Sequence, residues 1–151
     1  MENKEIKTVN AVWFETKVAY DKTTEDGSTQ RVKESYVVNA STFTEAEARI
    51  TANMQSYISG EFYVTEEKIA QYNDIVFSPS LNADKWYKSK VQLITIDEKT
   101  EKEKKTNCYF LVQASSLEEA RETVERVMSS SMCDYTIAAI VETKIVDVFT
   151  E

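Results

Sequence analysis

Trp13 and Lys17 stand four positions apart, and the same pair returns in the second half of the chain as Trp86 and Lys90. In a strand, positions of equal parity share a face. Trp13, Glu15, Lys17 and Ala19 then line one side of the first run, and Trp86, Lys88, Lys90 and Gln92 one side of the second. Aromatic rings beside lysines on an open sheet can stack single-stranded bases and hold phosphates. Trp13, Lys17, Trp86 and Lys90 are therefore the candidate binding face. The rival reading has the tryptophans cover an edge or fill a junction, with lysine stems laid over them. A net charge of −8 repels a nucleic-acid backbone on average, although a local field can differ.

Other chemistries find less support. With no histidine, a Ser-His-Asp or Cys-His centre and a histidine-ligated zinc site are excluded. Cys108 and Cys133 form no C-x-x-C pair, and they read as buried or half-buried thiols in a reducing compartment. Paired acids such as Glu66-Glu67 and Glu45/Glu47 could do acid–base work or hold a hard cation. No nucleophile, phosphate loop or spaced ligand set accompanies them, and helix-face acids such as Glu122 and Glu125 are ordinary solubilising charges. The mixed run Glu98 to Lys105 reads as a solvated hairpin tip, with docking of a partner as its rival. No catalytic residue, metal ligand or cofactor is assigned.

The chain has 151 residues, 42% apolar and 29% charged, enough apolar material for a core. Two glycines and one proline predict mostly regular structure, and leave little for a glycine-rich phosphate loop. Charge is uneven: residues 13–77 carry 6 basic and 11 acidic side chains, residues 86–149 carry 9 and 11. The segment Met1 to Lys7 is charged and has no apolar run, so it does not read as a signal peptide. No stretch approaches a membrane span, and a cytoplasmic location is the expectation.

The elements that would position these residues recur. Trp13-Phe14-Glu15-Thr16-Lys17-Val18 matches Trp86-Tyr87-Lys88-Ser89-Lys90-Val91, and Ala40 to Ala46 matches Ala114 to Ala120. Ile75-Val76-Phe77 matches Asp147-Val148-Phe149 more weakly. Order and spacing are kept, as in a tandem duplication. Each copy opens with an alternating strand, a polar turn (Asp26-Gly27 in the first) and a return strand, hence a β-hairpin. Thr42-x-x-Glu45 and Ser116-x-x-Glu119 are capping boxes, each glutamate reaching back to the cap N–H. Apolar stripes follow at helical spacing: Phe43, Ala46, Ile50, Met54 and Tyr57, then Leu117, Ala120, Val124, Val127 and Met128. Gly60 is expected to end the first helix as a left-handed cap, and Ser129-Ser130-Ser131 the second. Further strand follows each helix, as one bent strand or two short ones.

The expected fold is α+β: a tandem duplication of a ββαβ unit, mostly antiparallel, with two amphipathic helices and pseudo-two-fold symmetry. The first repeat spans 1–78, the linker 79–85 and the second repeat 86–151. A copy of roughly 65–70 residues with one helix is marginal alone, so the copies should form one compact domain. The half-sheets would either join or pack face to face.

With these landmarks in place, the chain resembles an uncharacterised family, domain of unknown function 4494. The resemblance rests on Trp13 to Val18, Phe43 to Ile50, Tyr57 to Phe62, Trp86 to Gln92 and Asp147 to Phe149. It implies an accessory protein of a bacterium or bacteriophage, and carries over no catalytic or binding residue. The leading expectation is a non-catalytic binding or interaction protein with a protein partner and no membrane partner. One alternative is single-stranded nucleic-acid binding through the Trp/Lys face. The other is a small-molecule or enzymatic pocket between the repeats. A free strand edge would also let two copies pair into a homo-oligomer.

Overall fold

The computed structural model describes residues 12–150, so the segment Met1 to Lys7 lies outside the described residues. In chain order the elements are β1 (Val12–Thr23), β2 (Thr29–Ala40), α1 (Phe43–Gln55), β3 (Phe62–Ala70), β4 (Asp74–Val76), β5 (Lys85–Ile96), β6 (Glu103–Ala114), α2 (Leu117–Ser129), β7 (Asp134–Glu142) and β8 (Ile145–Phe149). The fold is α+β, and both halves carry the same order, ββαββ, with two strands rather than one bent strand after each helix.

The half-sheets do not join. The strands form two four-stranded sheets, β3-β1-β2-β8 and β4-β6-β5-β7. The long pairings are antiparallel, β1 with β2 and β3, β5 with β6 and β7, while β4 runs parallel to β6. Each sheet thus takes its last strand from the other half of the chain. For this reason the compact units differ from the sequence repeats. One runs to Ala70 and takes in the segment from Asp147, and the other is Gln71–Val146. A boundary near residue 78 follows the sequence pattern, whereas the compact units divide at Ala70 and the part of β8 from Asp147 joins the first.

Alternation along β1 puts Phe14, Thr16, Val18 and Tyr20 against α1, and along β5 puts Tyr87, Val91 and Leu93 against α2. The first core is closed by Ala46, Ile50 and Met54, the second by Ala120, Val124 and Met128. Burying Ile50 or Met54 contributes roughly 1.5–3 kcal/mol each. Both ends of the first predicted stripe, Phe43 and Tyr57, and the start of the second, Leu117, lie outside these cores and are exposed. Phe43 still meets the Phe14 ring edge-on at 4.9 Å, and Phe149 stacks on Tyr36 at 5.6 Å.

The caps form with one change of partner. Thr42 and Ser116 accept from the N–H groups of Glu45 and Glu119 at 3.1 and 3.2 Å. The glutamates, however, accept from Ser41 and Ser115, the residues before the caps, at 2.6 and 2.9 Å. Gly60 is not a left-handed cap, since only Gly27 among the glycines has positive φ. Helix α1 ends earlier, at Gln55, where the N–H groups of Ser56, Tyr57 and Ile58 turn back to Asn53 and Met54. Helix α2 ends as expected: the hydroxyls of Ser129, Ser130 and Ser131 donate to the carbonyls of Arg126, Val127 and Met128, each at 2.8 Å. The Met128 carbonyl also accepts from the Ser131 N–H at 3.0 Å, so the last turn is closed by backbone and hydroxyl together.

The two hairpin loops need the same backbone from different residues. Gly27 takes φ +86° in the first, as a glycine does without strain, and Glu101 takes φ +59° in the second. A side chain in the left-handed region crowds its own carbonyl and costs roughly 1–2 kcal/mol. Glu101→Gly is expected to raise stability by about 0.5–1 kcal/mol once the glycine's greater unfolded freedom is subtracted. Gly27→Ala is expected to lower it by about 1 kcal/mol. Urea-denaturation midpoints of the two variants check both signs.

Candidate functional site

The four residues of the candidate face do not share one environment. Trp13 is half-buried and Lys17 exposed on β1 in the first unit; Trp86 and Lys90 lie on β5 in the second. Lys17 reaches Glu66 across the sheet at 3.8 Å. Trp86 is only 1% exposed, with the Phe77 ring edge-on at 5.4 Å. Its carbonyl accepts from both the N–H and the hydroxyl of Thr143 at 2.8 Å. A ring so enclosed offers no face to a base. The position equivalent to Trp13 is therefore a core residue, and alternation alone could not reveal it, because the face of the second sheet away from α2 also carries buried side chains, Trp86 and Leu111.

The remaining sequence candidates fall as follows. Glu98 to Lys105 is exposed throughout, a solvated tip. Glu45 serves its cap and pairs with Arg49 at 3.5 Å. Cys108 is half-buried, and Cys133 is exposed, contrary to its expected burial, because it follows α2 in the bend before β7. Among the described residues there is no cluster of three metal-ligating side chains, and no helix long and apolar enough to cross a membrane.

One acidic pair does interact. Glu67 on β3 faces Glu47 on α1; burial first, and then the Glu47 charge, raise its pKa above the ordinary 4.5. One of its carboxylate oxygens is buried without a hydrogen-bond partner. Nearby, Tyr20 and Tyr36 both donate to one oxygen of Glu34, at 3.0 and 2.9 Å. Burial, reinforced by that carboxylate, pushes both phenols up. Sequence reading missed this group because Glu34 looks like any polar strand residue.

The contrast between the two outer edges was also missed. Strands β3 and β7 are both nine-residue edge strands, and both carry a bulge, at Thr65 and at Ala138. In register, Glu66, Glu67 and Lys68 oppose Lys17, Thr16 and Glu15, whereas Ala139, Ile140 and Val141 oppose Lys90, Ser89 and Lys88. Charges guard a free edge against pairing. On β3 three charged residues stand together; on β7 there is none from Tyr135 to Val141. Beside β7 an open, shallow groove is lined by Leu117, Glu118, Arg121 and Ile140, and Leu117 and Val141 are 54% and 59% exposed. The charge-free run was visible in sequence, but its place at an edge was not.

Residues 12–151 match the family described as Domain of unknown function (DUF4494), and the chain belongs to that family. A comparison with the curated proteins finds no match.

Two outcomes follow from this geometry. Acrylamide is expected to quench one tryptophan and spare the other, Trp86, and a mixed-sequence single-stranded oligonucleotide at low salt is expected to leave emission unchanged. Emission of Trp13→Phe and Trp86→Phe variants assigns the two. For Glu67, a raised folded pKa means the folded state holds the proton more tightly than the unfolded chain. Its contribution to stability is full below 4.5 and is lost as pH rises through the raised value. Glu67→Gln should therefore raise the melting temperature at pH 7 and change it little at pH 4, read by thermal unfolding at both.

Proposed function

We propose that this family member is a non-catalytic interaction protein, an accessory protein of a bacterium or its phage that works in the cytoplasm. The observation that carries the reading is the unguarded β7 edge beside the apolar groove of Leu117 and Ile140. A free strand supplies unpaired backbone donors and acceptors, and a groove between that strand and a helix supplies a seat for side chains. Together they suit the addition of an extended segment. The bacterial or phage source rests on the family resemblance, and the cytoplasmic location on two cysteines that form no disulfide with each other.

Leu117 is the residue to alter, since it is exposed, lines the groove and lies at the first position of α2. An acid there is compatible with the helix N-terminus. The full chain, isolated under native conditions from cells that encode it, is expected to carry a stoichiometric protein partner that Leu117→Glu loses. Turnover of a metabolite that dies with a single carboxylate substitution would overturn the reading.

A further inference from the structure

We infer that the β7 edge is a self-pairing surface, and that the segment it accepts is β7 of a second copy of this chain. The inference rests on the proposed interaction role and names its partner. A strand that meets itself antiparallel must present a run that tolerates its own image. The Ala138 bulge leaves Ala139–Glu142 as the regular stretch next to the groove. Pairing about Ile140 sets Ala139 of one chain against Val141 of the other, twice, with Ile140 facing Ile140. No charge is opposed within these three positions, and small and β-branched neighbours suit cross-strand contact. The same operation on β3 would set the desolvated Glu67 against its own image, with Glu66 opposite Lys68 on either side.

The helices flanking the two edges differ in the same sense. On α2 the exposed positions near the groove are Glu118, Arg121 and Glu125, with Arg121 bonded to Glu125 at 3.1 Å within the chain. Two such helices brought together antiparallel by strand pairing can exchange these bonds, Arg121 of each copy meeting an acid of the other. On α1 the corresponding surface is Thr44, Glu47, Thr51 and Gln55, whose only charge is an acid that would meet itself. Residues 86–149 are also nearer neutral than residues 13–77, so self-approach costs less on this side. A closed two-fold contact also consumes the edge, so it stops at a dimer.

Light scattering on the full chain, from low to high micromolar concentration, is expected to move the mass from 17.3 kDa toward twice that value. Ala139→Glu/Val141→Glu places like charges opposite one another across the dimer, while within the chain each acid faces a lysine, Lys90 or Lys88. It is expected to hold the protein at the single-chain mass, with unchanged circular dichroism. Surface charge supplies a second arm that leaves the strand alone. Arg121→Glu should weaken the dimer roughly tenfold, and so should Glu118→Arg/Glu125→Arg; an equimolar mixture of the two variants should recover the dimer mass. A wild-type mass of 17.3 kDa at every concentration overturns self-pairing. So does a double-glutamate variant that folds and still dimerises, or a mixture that stays monomeric. If the wild-type chain is monomeric yet retains a different protein through Leu117, the interaction role stands and only the partner named here is wrong.

Discussion

The pairing of β4 with β6, and the placing of β8 beside β2, is the constraint on which the rest of the structure depends. Each ββαβ stretch by itself leaves its return strand with a free edge at the end of the sheet that also carries the helix core. A short strand supplied from the other half covers it. In the first unit that strand brings Phe149 onto Tyr36 and, at 6.4 Å, onto Tyr57, so a half-exposed rim at the end of α1 gains two stacked rings. In the second unit β4 delivers Ile75, 8% exposed, and leads to Phe77, which encloses Trp86. Side-chain burial and edge protection are thus met by the same exchange, and the first unit is not made from one contiguous stretch.

This also explains what could and could not be read in advance. Periodicity located the hairpins, both helices and the caps, because those are local: a strand alternates, a helix repeats, and a hydroxyl three residues before a glutamate caps. Thr42 and Ser116 needed no partner beyond their own helix. The exchange of β4 and β8 is non-local, and Ile75-Val76-Phe77 reads the same whichever sheet it joins. Trp86 shows the cost of that blindness. Its strand position promised a solvent-facing ring, but the residue that covers it, Phe77, comes from beyond the repeat's own hairpin. Gly60 failed for a different reason. A glycine after a helical stripe suggests a cap, yet the chain had already turned at Ser56 through bonds to Asn53 and Met54 that any residue can make.

Where the two halves share a backbone and differ in side chains, the differences show what each position is for. Thr16 and Ser89 occupy the same buried place; the threonine hydroxyl donates to the Tyr36 carbonyl at 3.0 Å, and the serine hydroxyl is buried without a partner. Gly27 and Glu101 meet the same left-handed demand, one freely and one under strain. These pairs bear on stability: each second-half residue is the less comfortable solution.

The edge strands differ in another way. Glu67 is uncomfortable where it stands, desolvated and facing Glu47, and Ile140 fits the equivalent place well as part of the second core. If folding alone set the sequence, the apolar residue would serve both edges. The acid at the β3 edge therefore has a cost without a return inside its own unit, and what it contributes must lie outside: a charge that other strands cannot approach. By the same reasoning, the absence of such a charge on β7 is not neutral. An open nine-residue edge with a charge-free centre, next to exposed Leu117 and Val141, is a hazard that a chain this acidic could easily have removed with one more glutamate. Its persistence on one unit and its suppression on the other is what an edge reserved for pairing would look like.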